Sequence, residues 1–281
     1  MDFSLEPEPA GGVLTAAPSA EHARYAMWLH TVQSTAMRYM VESLKEVVND
    51  GNLVCDPGGI RLVSIDATHS TIVFMRLEGA KFEGYHCAGR VVVGLNVHSL
   101  YKLIKSVSSS DAMTMFVTHE APYELQIRVE NREKNVLFQS CLKMLDIDQD
   151  SLLIPPVKYD ALIALPSADL QKYCRDLLIV SDRVRLTARA GEFELAAVGD
   201  FASYSVTVRE RDSGQVFVPA GESAQTGVFS LRFLAMFAKA TSLCQTVEIL
   251  LQDKYPLILV YRIGDMGKLQ YCLAPLADGA D

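Results

Sequence analysis

Residues 159–178 read YDALIALPSADLQKYCRDLL and join a strand to a helix with no loop between them. Residues 159–165 form a short apolar run typical of a buried strand. Pro166 and Ser167 signal the start of a helix, because proline suits a first helical turn and serine suits a helix cap. The strand and helix open a second copy of a pattern that the first half of the chain already shows.

The two halves of the chain follow the same plan. The first half has a predicted helix at about residues 33–48, several short β-branched runs, a helix at 97–106 and three strands that end at Leu142. The second half has helices at 167–178 and about 230–239, with strand-like runs between them and three final strands. A duplicated α+β fold follows. The predicted divisions are a disordered N-terminal extension (1–25), domain 1 (26–142), a connector (143–158), domain 2 (159–276) and a short tail (277–281).

Composition narrows the class of protein. The chain has 281 residues, of which 49% are hydrophobic, and a formal net charge of −8. It shows no apolar run near the roughly 20 residues that cross a bilayer, and its acidic, proline-rich start is unlike a secretory signal. We therefore expect a soluble intracellular protein with no membrane partner.

The six cysteines are scattered with no C-x-x-C pair, so neither a zinc site nor a redox motif is predicted. We interpret them as reduced thiols, most of them buried, and expect no metal and no cofactor.

Each of the four predicted helices carries two basic residues on one face. Spacings of three or seven residues place both side chains within roughly 60° of each other around a helix axis. The eight residues are Arg38, Lys45, Lys102, Lys105, Lys172, Arg175, Arg232 and Lys239. With four acidic residues, these segments total +4 and leave −12 for the rest of the chain. The pattern is consistent with ordinary solvated helix faces, but its recurrence on all four helices favours contact with a polyanion.

Two other regions allow more than one interpretation. In the connector, the apolar run Leu152–Ile154 beside Pro155 and Pro156 either packs on the nearby sheet or forms an edge that binds partners. Asp66, His69 and Ser70 resemble the members of a hydrolase triad. No strand-turn-helix elbow surrounds Ser70, and the chain has no phosphate-binding glycine loop, so we predict that it is not an enzyme.

Several stretches together resemble one known family over residues 27–276. They are Gly264–Gly267 through Tyr271–Pro275, Phe237–Thr241, Ser64–His69, the connector from Leu142 to Pro155, and Pro166–Leu177. The chain resembles proliferating cell nuclear antigen, the eukaryotic-type DNA sliding clamp. The resemblance implies a clamp fold with helices lining a channel, antiparallel sheets outside, and a ring of six domains made by three chains.

The resemblance also implies partners and sites. Double-stranded DNA would pass through the channel without sequence preference, and the eight basic residues would face its phosphates. The ring edges would lie at Val136, Phe138, Leu142, Tyr204, Val206 and Val208. DNA polymerase and other proteins that carry PIP boxes, peptides of the form Gln-x-x-aliphatic-x-x-aromatic-aromatic, would bind an apolar pocket. Its predicted residues are Ile65, His69, Ile72, Leu152, Ile154, Pro155, Tyr159, Pro256, Cys272, Leu273, Ala274 and Pro275.

By the same resemblance, a separate ATP-dependent clamp loader would load the ring, in the nucleus or in a viral replication compartment. Two related functions stay open from sequence. One is a subunit of a heterotrimeric checkpoint clamp, and the other is a clamp-like scaffold that does not encircle DNA.

Overall fold

The computed structural model describes residues 2–3, 23–66, 68–148, 157–209, 217–219 and 223–277, and its two halves share one order of strands and helices. From the N-terminus the chain forms β1 (Asp2–Phe3), β2 (Tyr25–Thr31), α1 (Ser34–Leu44), β3 (Asp50–Asp56), β4 (Gly59–Ile65), β5 (Thr71–Glu78), a 3₁₀ turn (Gly79–Lys81), β6 (Gly84–Cys87), β7 (Val91–Asn96), α2 (Val97–Ile104), β8 (Asp111–Thr118), β9 (Glu124–Asn131) and β10 (Val136–Lys143).

The second half starts with β11 (Val157–Lys158), β12 (Ala161–Pro166), α3 (Ser167–Leu178), β13 (Arg183–Arg189), β14 (Glu192–Val198), β15 (Ser203–Arg209) and β16 (Phe217–Pro219). It continues with β17 (Gln225–Ser230), α4 (Leu231–Phe237), a 3₁₀ helix (Ala238–Ser242), β18 (Thr246–Leu251), β19 (Leu257–Ile263) and β20 (Gly267–Leu273). The duplicated α+β architecture predicted from sequence is confirmed, because both halves repeat one order of strands and helices.

The helix starts were predicted closely, whereas two of the helix ends differ in an informative way. The first predicted helix continues to residue 48, but α1 ends at Leu44, where Val47 N–H bonds to the Leu44 carbonyl in a tighter turn. The fourth predicted helix divides into α4 and the 3₁₀ helix at Phe237. The β-branched Val47 and Val48, followed by Asn49, favour an early end to α1.

Each half builds the same pair of sheet segments. The first half has the orders β10-β9-β8-β2-β6 and β5-β4-β3-β7. The second half has the matching orders β20-β19-β18-β12-β16 and β15-β14-β13-β17. All of these pairings are antiparallel. A strand in one half therefore has a counterpart at the same sheet position in the other.

One strand pairing joins the halves into a continuous nine-stranded sheet. Strand β20 of the second half pairs with β5 of the first, from Gly267 opposite Leu77 to Leu273 opposite Thr71. The core continues across this junction, since Phe237 stacks on Tyr271 at 4.6 Å between ring centroids. The Tyr271 hydroxyl donates to the Ser43 carbonyl of α1 at 3.1 Å.

The four helices lie side by side in one layer against these sheets. In order, α2 contacts α1, α1 contacts the 3₁₀ helix that follows α4, and α4 contacts α3. Their buried positions recur at helical spacing, as with Leu170, Cys174 and Leu177 on α3. Each helix thus turns one apolar face to the sheets and leaves the opposite face open.

Strand β1 lies in the segment for which the sequence predicts disorder, and it pairs with β11 in a separate two-stranded sheet. Most of the extension, the connector residues 149–156 and the tail from residue 278 lie outside the described residues. The predicted partner residues Leu152, Ile154 and Pro155 are among them. No helix in the described ranges is long and apolar enough to span a bilayer.

Candidate functional site

The open face of the helix layer carries most of the predicted basic residues. Six of the eight are exposed and lie opposite the buried helix positions, whereas Arg38 and Lys45 are half-buried. The six are Lys102, Lys105, Lys172, Arg175, Arg232 and Lys239. Because the helices form one layer, these side chains share one surface, which we call the helix face.

Some of the basic side chains on the helix face form ion pairs with carboxylates, and others do not. Arg232 binds Asp182 through two hydrogen bonds of 3.0 and 2.6 Å. Lys45 and Lys239 both bind Glu46. Within the described ranges, five of the predicted cations make no ion pair. Arg38 on α1 is half-buried and lies over the Tyr39 ring. The other four are exposed and lie on the two outermost helices: Lys102, Lys105, Lys172 and Arg175.

Glu46 links the two halves of the chain on the helix face. Its Oε2 atom lies 2.6 Å from Lys239 Nζ, and its Oε1 atom lies 2.5 Å from Lys45 Nζ. The hydrogen bond from Lys239, followed by that from Lys45, lowers the pKa of the Glu46 carboxyl below its usual value. In return, the hydrogen bond to Glu46 raises the pKa of Lys45. Glu46 and Lys45 therefore keep their opposite charges at neutral pH.

Two long strands end the sheets with an unpaired edge in the described chain, and they are the predicted ring edges. Strand β10 closes one sheet and β15 another. Along β10, Phe138 is 62% exposed and Val136 is 37% exposed, and Tyr204 on β15 is 41% exposed. Apolar side chains on an open strand edge are prone to pair with another chain. The remaining predicted edge residues are Leu142, Val206 and Val208, of which only Val208 is buried.

A groove of about 370 Å³ lies between α2 and the β10 edge. Its lining includes Leu103 in the last turn of α2, Val107 in the turn that follows, and Val136 and Phe138 on β10. On the opposite flank of the chain, Ile179 at the end of α3 is 72% exposed. Each flank of the chain therefore presents apolar surface next to an open strand.

The outer side of the nine-stranded sheet carries a separate apolar cluster, which we call the outer cluster. Cross-strand neighbours Leu162, Leu250, Ile258, Cys272 and Ile72 form one row across five strands. They belong to a cluster distinct from the main core, with Tyr159 and Val260 beside them. Because side chains alternate between the two faces of a strand, this row points away from the helices.

The first half provides an internal comparison for the outer cluster. The corresponding row there is Trp28, Phe116, Gln126 and Cys141. Gln126 stands where the second half has Ile258, and Arg128, whose guanidinium lies over the Phe116 ring, stands where it has Val260. Within the described residues, an uninterrupted apolar row on the outer side is thus a property of the second half.

The structure brings together several of the predicted partner residues. The Tyr159 hydroxyl donates to the Pro256 carbonyl at 3.0 Å, and Ala274 N–H donates to the Ser70 carbonyl at 2.9 Å. Burial raises the pKa of the Cys272 thiol to about 11, so it stays a neutral apolar lining. Leu273 instead belongs to the main core. The remaining described members are half-buried or exposed around this site: Ile65, His69 and Pro275.

Sequence reasoning missed part of the outer cluster. Leu162, Leu250, Ile258 and Val260 were not predicted as site residues, although each lies in an apolar strand. These residues could have been predicted from strands that are apolar at successive positions. Both faces of such a strand are apolar, so one face must pack outside the main core.

Asp66, His69 and Ser70, the three residues that resemble a hydrolase triad, lie in the turn between β4 and β5. Asp66 accepts hydrogen bonds from the backbone N–H groups of Thr71 at 2.6 Å and Thr68 at 3.1 Å. The Ser70 hydroxyl donates to the Thr68 carbonyl, and His69 has a positive φ of 55° at the turn. These contacts hold a tight turn, and none of them sets a nucleophile against a base. Among the described residues, no group of three or more His, Cys, Asp or Glu is placed to hold a metal ion.

Comparisons with known proteins agree with this architecture. Two family models match, the proliferating cell nuclear antigen N-terminal domain over residues 27–152 and its C-terminal domain over residues 153–276. A probable DNA polymerase sliding clamp 1 of Paramecium bursaria Chlorella virus 1 is 30% identical over 252 residues, covering 88% of this chain and 96% of that protein.

Two further matches come from eukaryotes. Proliferating cell nuclear antigen of Chaetomium thermophilum is 31% identical over 248 residues, covering 86% of this chain and 95% of its own. The crystal structure of proliferating cellular nuclear antigen from Entamoeba histolytica superposes with a TM-score of 0.83 at 24% identity. That superposition covers 90% of this chain and 100% of the other, and it shows a common fold.

Proposed function

The chain belongs to the proliferating cell nuclear antigen family of DNA polymerase sliding clamps, which are processivity factors rather than enzymes, and we propose that it acts as a closed ring of three identical subunits around duplex DNA. In this proposal the ring tethers DNA polymerase and other PIP-box proteins through the outer cluster.

The β20–β5 junction within the chain carries the proposal. Strand β20 corresponds to β10, and β5 corresponds to β15, because each pair occupies the same place in the matching sheet orders. The chain therefore contains one completed junction, and its free edges are the two halves of a second junction of the same kind. Repeating that junction joins chains head to tail. Such contacts close into a ring when the rotation from one subunit to the next is a whole-number fraction of 360°.

The internal junction also predicts the register between subunits. Gly267 faces Leu77 in the β20–β5 pair, and their counterparts are Val136 on β10 and Val208 on β15. The same mapping places Phe138 opposite Val206 and Cys141 opposite Ser203. Six domains joined in this way make a ring of three chains, as the family resemblance implies.

The helices next to the free edges support the same arrangement. Counting from the first residue of each helix, Leu103 of α2 corresponds to Phe237 of α4, which is fully buried at the internal junction. Ile179 after α3 corresponds to Glu46 after α1. We propose that Leu103 and Ile179 are buried when α2 of one subunit meets α3 of the next.

Duplex DNA would contact the helix face. Three copies of one helix layer would surround a channel, with the sheets outside. Lys102, Lys105, Lys172 and Arg175 make no ion pair in the described structure and are free to contact phosphates. Such contacts carry no sequence information and exchange readily, so they permit sliding. The rest of the chain, at −12 outside the four helical segments, opposes binding elsewhere.

The outer cluster would bind PIP-box peptides. Its row of aliphatic side chains suits the aliphatic and aromatic anchors of such a peptide, since apolar anchors in a pocket supply most of the affinity at small interfaces. The corresponding row in the first half is interrupted by Gln126 and flanked by Arg128, which argues for one such site in each subunit. The predicted residues Leu152, Ile154 and Pro155 would cover this site from the connector.

A closed ring needs an opening step before DNA can enter, so we also propose an ATP-dependent clamp loader as a partner. The relatives come from eukaryotes and a virus, which supports work in the nucleus or in a viral replication compartment.

Light scattering at low micromolar concentration tests the proposed ring directly. The expected mass is three times that of the 31.0 kDa chain. A monomer that trimerises only with different chains would instead favour the checkpoint type of clamp, and a monomer under all conditions would contradict the ring.

A further inference from the structure

The N-terminal segment ahead of the family-like region contains a strand, β1, that contacts the second half of the chain. Strand β1 pairs antiparallel with β11, placing Asp2 opposite Lys158 and Phe3 opposite Val157. The matching family model starts at residue 27, so this strand is an addition to the shared fold. The shared fold therefore does not account for this strand, and its role must follow from what it contacts.

Strand β11 leads directly into the outer cluster. Tyr159 follows Lys158 and is 6% exposed within that cluster, where its hydroxyl bonds to Pro256. A strand next to an apolar pocket offers backbone pairing and side-chain anchoring together, which are the two components of peptide capture by strand addition. Because β1 pairs with β11, it occupies the backbone positions that a captured peptide would use.

The sequence of the segment suits a short docking strand. Residues 1–5 read Met-Asp-Phe-Ser-Leu and alternate apolar with polar side chains, which is the pattern of a strand with one apolar face. Pro7 and Pro9 follow, and proline interrupts strand pairing because it lacks the N–H donor.

We propose that the N-terminal segment is an intramolecular competitor of partner peptides, which pairs with β11 and must be displaced before a PIP-box peptide binds the outer cluster. The proposal rests on the proposed peptide-binding function of that cluster. Only 21 residues separate Phe3 from Tyr25 in the sequence, so the pairing of β1 with β11 is intramolecular. Intramolecular pairing at such a separation has an effective concentration on the order of millimolar, so even a weak strand competes with free peptide.

The test measures the affinity of a fluorescent Gln-Ser-Ser-Leu-Ser-Ser-Phe-Phe peptide for the full chain and for a chain lacking residues 2–22. We expect the shortened chain to bind at least about threefold more tightly. A free peptide of residues 1–9 should displace the probe from the shortened chain at about millimolar concentration. Equal or weaker binding by the shortened chain overturns the proposal.

A matched pair of substitutions in the full chain repeats the test without truncation. Phe3→Asp should tighten probe binding as truncation does, whereas Val13→Asp, which adds the same charge outside the paired strand, should leave it unchanged. Equal effects of both substitutions overturn the proposal. If neither the full nor the shortened chain binds the probe, the peptide-binding function of the outer cluster fails, and the competition falls with it.

Discussion

Lys239 and Glu46 are 193 positions apart in sequence, yet Lys239 Nζ donates a 2.6 Å hydrogen bond to Glu46 Oε2 across the boundary between the two halves. Lys45 donates to the other carboxylate oxygen of Glu46. The contact lies at the internal junction, where β20 pairs with β5, and it shows how that junction differs from the proposed contact between subunits.

Glu46→Gln should destabilise the chain only above the acid range. Because the pKa of Glu46 is lowered in the folded state, its contribution is fully present above its unfolded value of about 4.3 and is lost as pH falls through the folded value. Lys239 is largely exposed, so the effect should stay below about 1 kcal/mol. Urea unfolding at pH 7 and at pH 3 measures it, and an equal difference at both values would contradict the prediction.

Substitutions at Ile179 test the helix contact between subunits. If Ile179 meets Lys105 of the next subunit, as Glu46 meets Lys239 within the chain, then Ile179→Glu should keep the trimer and Ile179→Lys should weaken it. The two variants lose the same apolar side chain and differ in charge sign. We expect the protein concentration at which half of the trimer dissociates to be several-fold higher for Ile179→Lys than for Ile179→Glu, as measured by analytical ultracentrifugation. Similar dissociation of both variants would place Ile179 away from Lys105.

Ser203→Cys should link subunits covalently. The register copied from the internal junction places Ser203 opposite Cys141, which is exposed and free. Directly opposed residues of antiparallel strands lie about 4.5–5.5 Å apart between Cα atoms, within disulfide range. Mild oxidation should give dimers and trimers on a non-reducing gel. Ser205→Cys, two residues along the same strand, is the control and should stay mostly monomeric, and the reverse result would show a shifted register.

Removing the available cations should reduce the salt dependence of DNA binding. For Lys102→Ala combined with Lys105→Ala, the slope of log K against log salt should fall by about 1.8 if each lysine contacts one phosphate. Fluorescence anisotropy with a short duplex at several salt concentrations measures it. Lys81→Ala combined with Arg90→Ala removes the same charge from turns beside β6 and should leave the slope unchanged. Equal slopes for both double variants would show that the helix face is not the contact.

Leu162→Glu should abolish binding of a PIP-box peptide while leaving the trimer intact, because a carboxylate in the apolar row must lose its hydration when the peptide docks. We expect at least about a tenfold loss of affinity, equivalent to about 1.4 kcal/mol, by calorimetry. Trp28 holds the corresponding position in the first half, so Trp28→Glu is the control and should bind normally. A loss with Trp28→Glu alone would move the site to the first half.

Much of the fold could be predicted from local sequence signals. Pro166 and Ser167 predicted the start of α3, which begins at Ser167, and the spacing of apolar residues predicted four helices and the duplication. These features depend on neighbouring residues, because caps and helical periodicity act over a few positions. The ends of α1 and α4 were predicted less well, since packing and turn geometry decide where the last helical bond forms.

The site was only partly predictable, because its charges and its apolar row form through distant contacts. Sequence located eight basic residues, but only the folded chain pairs Lys45 and Lys239 with Glu46 and Arg232 with Asp182. Likewise, Leu162 and Ile258 look like ordinary core residues until the sheet register sets them on the outer side.

The sequence by itself thus determined the elements, their duplication and the positions of the cations, since these depend on short-range propensity and on residue identity. The tertiary structure decided which cations make no ion pair, which side chains form the apolar row on the outer side of the sheet, and which strand edges are unpaired in the described chain. Those outcomes depend on the β20–β5 pairing, which brings together residues almost two hundred positions apart and which local sequence does not encode.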